Sequence, residues 1–315
     1  MTLPALLLFS VALSAAPSGP APPDTLAATR THLLGGHITV ALPVGMKIEA
    51  RRADLMSAPA PDQDETRAVL DVGKVRLVMM ANERYAFASG DPRAAVQADL
   101  AKGFPKAKLE ALTLAQPLRG YGAAITLPEV GEANLVYVAY LINADGSVQQ
   151  VAFYVNPEGT QHAADWTALA RKIAASASAG ARHLDAKGGA RALGPLRITL
   201  PQGWVTHSQP GPDFAVYRLT KLTPLGSSPL TCGIYLGGYP AFQFRQAGID
   251  ASQTRQVKGA LLGGVTEWVV WRHDGRSETE AMAKHAGQRV HVFCSADAEA
   301  DLAGLRQLAA TLRWR

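Results

Sequence analysis

Hydrophobic and polar side chains alternate along Ile38-Thr39-Val40-Ala41-Leu42 until Pro43 and Gly45 break the pattern, and the same arrangement returns in Leu196-Arg197-Ile198-Thr199-Leu200 before Pro201 and Gly203. A period of two marks a half-buried strand. In the first copy, residues 67–72 and 75–81 read as strands around the Gly73-Lys74 turn. Asp91-Pro92 supplies an N-cap and a first-turn proline for a helix through Leu100 to about Phe104. Strands are expected at 109–114, 121–127, 133–142 and 147–155, the last two joined by an Asn143-Ala144-Asp145-Gly146 hairpin turn. A helix over 163–177 closes the copy, with Trp166, Leu169 and Ile173 on one face.

The second copy repeats the order with variations. Strands are expected at 198–200, 214–220 and 230–235, and a helix over 252–261. Residues 265–272 and 278–284 meet across the His273-Asp274-Gly275-Arg276 turn, 290–294 is the final strand, and Leu302, Leu305, Leu308 and Leu312 mark a closing helix over 300–312. The chain therefore reads as two similar domains of α/β (α+β) type, each an antiparallel sheet flanked by helices. The expected boundaries are a leader through residue 23, a first domain over 27–180, an Ala/Gly/Ser-rich linker over 181–192 and a second domain over 193–315. The acidic, Pro-rich stretch 58–65 reads as a loop.

The length of 315 residues suits two ordinary domains. Hydrophobic residues make up 48% and charged residues 18%, a globular composition. Leu3 to Ala16 is apolar and uncharged and is followed by small residues and prolines, which reads as a signal peptide and places the protein in the periplasm or outside the cell. No later run is long enough for a transmembrane segment. In an exported protein the two cysteines, Cys232 and Cys294, are a candidate disulfide. The net charge of +5 arises in the second half: through His183 there are 16 basic and 16 acidic residues, and from Leu184 onward 15 and 10. Arg272, Arg276 and Arg289 are interleaved with Asp274, Glu278 and Glu280, so no nucleic-acid patch is expected. The excess reads first as a solvated surface, with an acidic protein partner or an anionic membrane surface as the alternatives.

Catalytic patterns are missing from the sequence. There is no Gly-x-Ser-x-Gly elbow, and Ser227-Ser228-Pro229 is a turn string. His273 and Asp274 sit in a hairpin turn and point apart. His285 and His291 flank a hairpin without a third ligand at fixed spacing, Asp62 and Asp64 lack the glycine and distal glutamate of a calcium loop, and 259–264 lacks the Lys-Ser/Thr ending of a phosphate loop. No cofactor, metal site or catalytic residue is expected. Trp268 and Trp271, three apart on a strand, fall on opposite faces. One belongs to the core, and an exposed one beside Arg272 is a candidate partner contact.

The Leu-Pro-x-Gly openings, the hairpin before the last strand, and Val290-His291-Val292-Phe293-Cys294-Ser295-Ala296 followed by the Leu302/Leu305/Leu308 helix resemble the Mog1/PsbP-like fold. That resemblance covers most of both copies and implies binding roles, since the family includes a small-GTPase partner, a photosystem subunit and exported bacterial proteins. Gly36-His37-Ile38-Thr39-Val40-Ala41-Leu42-Pro43 is also similar to the opening of two-domain periplasmic immunity proteins that neutralise secreted lipase effectors. The chain departs from that group in lacking a cysteine ahead of the strand and a later Gly-Glu-Glu string. The expected function is an exported, non-enzymatic binding protein that recognises another protein, as an inhibitor or immunity-type partner. The alternatives are a hydrolase assembled from distant residues such as His207, His285 and Asp213, and a passive envelope assembly protein.

Overall fold

The computed structural model describes residues 20–49, 65–125, 134–211, 213–238, 240–285 and 287–315. The apolar leader and the acidic loop through Asp64 lie outside the described residues. The first half runs β1 (Leu26–Leu33), β2 (Ile38–Pro43), β3 (Lys47–Glu49), β4 (Glu65–Val72), β5 (Val75–Phe87), α1 (Pro92–Gly103), β6 (Glu110–Leu112), β7 (Arg119–Ala124), β8 (Asn134–Ile142), β9 (Ser147–Val155), α2 (Ala163–Ala175) and β10 (Ser178–Ala179). The second runs β11 (Gly189–Leu193), β12 (Leu196–Leu200), β13 (Trp204–Pro210), β14 (Phe214–Lys221), β15 (Thr223–Pro224), β16 (Thr231–Gly237), α3 (Gln243–Gln246), β17 (Arg255–Leu261), β18 (Gly264–His273), β19 (Arg276–His285), β20 (Gln288–Ala296), α4 (Glu299–Ala309) and β21 (Arg313–Trp314).

These strands form two small sheets, β1-β2-β10 and β11-β12-β21, and two large antiparallel ones, β3-β4-β5-β9-β8-β7-β6 and β13-β14-β16-β20-β19-β18-β17. With β3 matched to β13, β4 to β14, β5 to β16, and β6 through β9 to β17 through β20, the large sheets have the same strand order. Among the described residues, only β15 has no counterpart in the first half. The architecture is thus mostly antiparallel sheet with few helices, and each half carries a second, small sheet that the sequence reading did not include.

Local chemistry explains the main elements. The Asp91 carboxylate accepts the Arg93 amide at 2.9 Å and Pro92 starts α1. Trp166, Leu169, Ala170, Ile173 and Ala174 form the buried stripe of α2. Asp274 (φ 46) and Gly275 (φ 77) provide the two positive φ angles of a tight hairpin between β18 and β19. In the first half one core joins β2, α2 and one face of the large sheet. A second core packs Val96 and Leu100 of α1 on the opposite face. Among the described residues the second half has a single such core, on the α4 side.

Two expectations are corrected. Residues 252–261 are not a helix: a 3-10 turn, Ala251–Gln253, leads into edge strand β17. The four-residue spacing of Val257 and Leu261 is compatible with a helix, but both also fit a period of two. Gly259 is needed where a Cβ would lie 2.7 Å from the Trp268 ring. The second sheet is also not flanked by helices on both faces, because four-residue α3 stands where the first half has twelve-residue α1. The stretch expected as a linker contributes strand β11 from Gly189 onward, paired with β12.

The halves meet at the one unmatched strand. β5 turns at Tyr85, a non-glycine residue at φ 48, and its register with β9 shifts between Glu83 and Phe87. Ala86 and Phe87 then pair in parallel with Thr223 and Pro224 of β15. The Leu225 amide donates to the Phe87 carbonyl at 2.9 Å, and the Leu225 side chain packs against the α1 core. Lys102 donates to the Gly226 carbonyl, and the Tyr85 ring stacks on His207 at 6.0 Å.

Candidate binding face

The face of the second large sheet turned away from α4 is the surface that α3 leaves partly uncovered. Register places Phe214, Val216 and Arg218 of β14, Gly233, Tyr235 and Gly237 of β16, Arg289, His291 and Phe293 of β20, Glu278, Glu280, Met282 and Lys284 of β19, and Trp271 of β18 on it. Phe214, Val216, Tyr235, Phe242, Met282 and Phe293 are half-buried. Their rings lie in two groups: Phe214 stacks on Tyr235 at 5.7 Å, and Phe293, His291, Phe242, Phe244 and Trp271 follow in a chain of contacts of 5.2 to 6.1 Å. Glycines let these rings lie against the backbone. A Cβ on Gly233 would stand 2.1 Å from the Phe293 ring, and one on Gly237 2.5 Å from the Tyr235 hydroxyl.

Beneath the aromatic layer lies a buried histidine–glutamate hydrogen bond. Glu280 and His291 are 0% and 2% exposed, and the His291 Nε2 donates to the Glu280 carboxylate at 2.5 Å. The same carboxylate accepts the backbone amides of Gln243 at 2.8 Å and Phe244 at 3.1 Å. Glu280 thereby fastens the α3 segment to the sheet and holds Phe242 and Phe244 over His291 and Trp271. Burial pushes the neighbouring Glu278 carboxyl up from its ordinary range, with His273 and Arg276 opposing.

The exposed charges around this layer are mainly positive. Arg218, Arg245, Lys258, Lys284 and Arg289 are exposed, and none has an acidic partner in an ion pair among the described residues. Lys284 and Arg289 stand directly opposite each other in the β19–β20 ladder, a like-charge arrangement that disfavours the isolated sheet. Glu267, opposite Lys258, is the exposed acid among them.

A second His–carboxylate pair, between half-buried His37 and buried Glu83, occurs in the first half, on the α2 side of the sheet. His37 Nδ1 and Gln149 Nε2 each donate to Glu83 Oε2 at 3.0 Å, and Asn143 donates to Gln149 at 2.9 Å. Among the described residues no hydroxyl or thiol is hydrogen-bonded to His37 or His291, so neither pair forms a nucleophile–base arrangement. No group of three His, Cys, Asp or Glu side chains able to hold a metal occurs among the described residues.

The structure distributes the residues singled out from sequence as follows. Cys232 and Cys294 stand opposite each other on β16 and β20 and are joined by a disulfide. Trp268 is wholly buried in the α4-side core. Trp271 lies on the other face as expected but is only 4% exposed, because Phe244 covers it, so it is not an open contact residue. Arg272 is exposed beside it. His207 and His285 are not brought together: they lie on β13 and β19, four strands apart in the sheet, or about 19 Å at the usual strand spacing. His285 stacks on Trp314 at 4.7 Å instead of facing His291. Sequence reasoning missed Glu280 and the aromatic layer, which depend on cross-strand register.

No protein-family model and no curated protein sequence matches this chain. Among solved structures, the chain is similar at 11% identity to MucB in complex with MucA(peri), with 88% of each chain covered and a TM-score of 0.21. The Pseudomonas aeruginosa MucA/MucB complex gives the same identity and coverage with a TM-score of 0.24. No helix among the described residues is long and apolar enough to cross a membrane.

Proposed function

We propose that this chain is an exported, non-enzymatic protein that binds another protein, with the uncovered aromatic face of its second half as the contact surface. The observation that carries this reading is internal. Two sheets share one strand order, yet in the first a twelve-residue helix packs on the outer face over β7 to β9, and in the second a four-residue helix leaves half-buried aromatic rings and cations that have no ion-pair partner among the described residues. Aromatic side chains surrounded by charge are typical of surfaces that anchor a protein partner. The apolar leader at Leu3 to Ala16 supports export to the periplasm or beyond.

On this reading residues 27–180 and 193–315 are two domains of Mog1/PsbP-like type joined by 181–192, and the second carries the recognition surface. The similarity of the Gly36–Pro43 string to two-domain immunity proteins makes a secreted effector the partner class to test first. The test is capture from an envelope extract of the native host, with the native chain and the Arg218→Glu/Arg289→Glu double variant as baits. A stoichiometric partner held by the native chain and lost by the folded variant is expected. Equal capture by both baits, or no partner for the native bait, overturns the reading.

A further inference from the structure

We propose that the partner presents an acidic amphipathic helix of about three turns, which lies on the β14-β16-β20 part of the second large sheet, beside the α3 segment. This inference rests on the reading of that face as a protein-binding surface. The first half supplies the template. Helix α1 has twelve residues and covers its sheet with two fully inward side chains, Val96 and Leu100, four residues apart. From the same helix Asp99 meets Arg84 at 3.3 Å and the Tyr140 hydroxyl at 3.0 Å. An apolar pair and an acid on one helical face thus take part in covering this kind of sheet. The second sheet offers the matching residue types, with apolar rings at Phe214 and Phe293, Tyr235 among them, and Arg218 on the adjoining strand.

Two physical arguments favour a helix over an extended segment, and an acidic one over a neutral one. The interior strands of the second sheet already pair on both sides, so a ligand on the face gains no backbone hydrogen bonds from it. Such a ligand must satisfy its own amides and carbonyls, as a helix does, whereas an added strand needs a sheet edge. Charge is the second argument. Lys284 and Arg289 repel across the ladder, and Arg218 and Arg245 are exposed nearby. Carboxylates on the helix would relieve that repulsion and direct its approach.

The probe is a fluorescein-labelled peptide with leucines spaced three and four apart on one face and glutamates elsewhere. Two controls accompany it: a form with two central prolines, and a form with lysine replacing every glutamate. Fluorescence anisotropy with the full chain reads the affinity. The glutamate helix is expected to bind, to weaken by about ten-fold in the Arg218→Glu/Arg289→Glu variant, and to weaken as salt rises from about 0.1 M to about 1 M and the screening length falls from about 10 to about 3 Å. Both controls are expected to bind at least about ten-fold more weakly, the proline form because a helix-interior proline removes a backbone hydrogen bond and breaks the helix. Equal binding of the proline form overturns the helix, and equal binding of the lysine form overturns the acidic partner. If no peptide binds while a native partner is captured and lost by the variant, the helix inference fails and the binding face stands. If the variant captures that partner as well as the native chain does, both fail.

Discussion

Replacing Glu280 with alanine would test the attachment of α3 to the sheet. The carboxylate is fully buried and accepts from Gln243 N, Phe244 N and His291 Nε2. Alanine leaves the Phe244 amide and the imidazole without a partner in the interior, at about 1–3 kcal/mol each, while the half-buried Gln243 recovers part of its bond from water. The expected loss is about 3–5 kcal/mol, from the buried donors left without a partner together with the part of the Gln243 bond that water does not restore. Glu280→Gln keeps one carbonyl oxygen for these donors and should lose less than half as much. Urea unfolding of the full chain reads the global loss, and hydrogen exchange at Phe244 reads whether the α3 segment detaches first. A loss under about 1 kcal/mol with unchanged exchange at Phe244 would refute the claim that Glu280 holds this segment.

Further outcomes follow from other contacts. Cys232→Ala/Cys294→Ala removes a crosslink between residues 62 apart, which the chain-entropy estimate values at about 4 kcal/mol, so the urea midpoint should fall sharply and reducing agent should lower that of the native chain alone. Leu225→Ala strips the β15 segment of its apolar contact with the first half; a loss of about 2 kcal/mol and a split of one calorimetric transition into two are expected, and an unchanged single transition would count against this joint. Because burial raises the Glu278 carboxyl above its ordinary value of 4.5, the folded state holds that proton more tightly than the unfolded chain. Stability from this group is therefore present below its ordinary value and lost as pH rises through the raised one. Glu278→Gln should be at least as stable as the native chain at neutral pH, with its advantage vanishing in acid; a neutral-pH loss in urea unfolding would contradict this.

The parts of this fold that could be read from sequence are those with short-range causes. Asp91-Pro92 capped a helix, Asp145-Gly146 and Asp274-Gly275 turned hairpins, and the leucine and tryptophan stripes of α2 and α4 closed each half. β17 was misread because its apolar residues satisfy two periods, and only its pairing with β18 decides between them. The binding face was hidden for a similar reason. Phe214, Tyr235 and Phe293 are far apart in the chain and become neighbours only through the β14-β16-β20 register. Trp271 looked available beside Arg272 because nothing local announces that Phe244 will cover it. The shared strand order was foreshadowed by the repeated Leu-Pro-x-Gly strings, whereas the shortened helix, which sets the second half apart, is a difference between the copies and became visible only when the two sheets were matched strand by strand.

The most direct test of the binding face is site-specific photocrosslinking in the native host, with a benzoylphenylalanine at Met282 on the aromatic face and, as control, at exposed Arg197 on the small second-half sheet. A single discrete adduct with another protein from position 282, and none from position 197, is the predicted result. Adducts from 197 but not from 282, or none from either in a folded, expressed chain, would contradict the account.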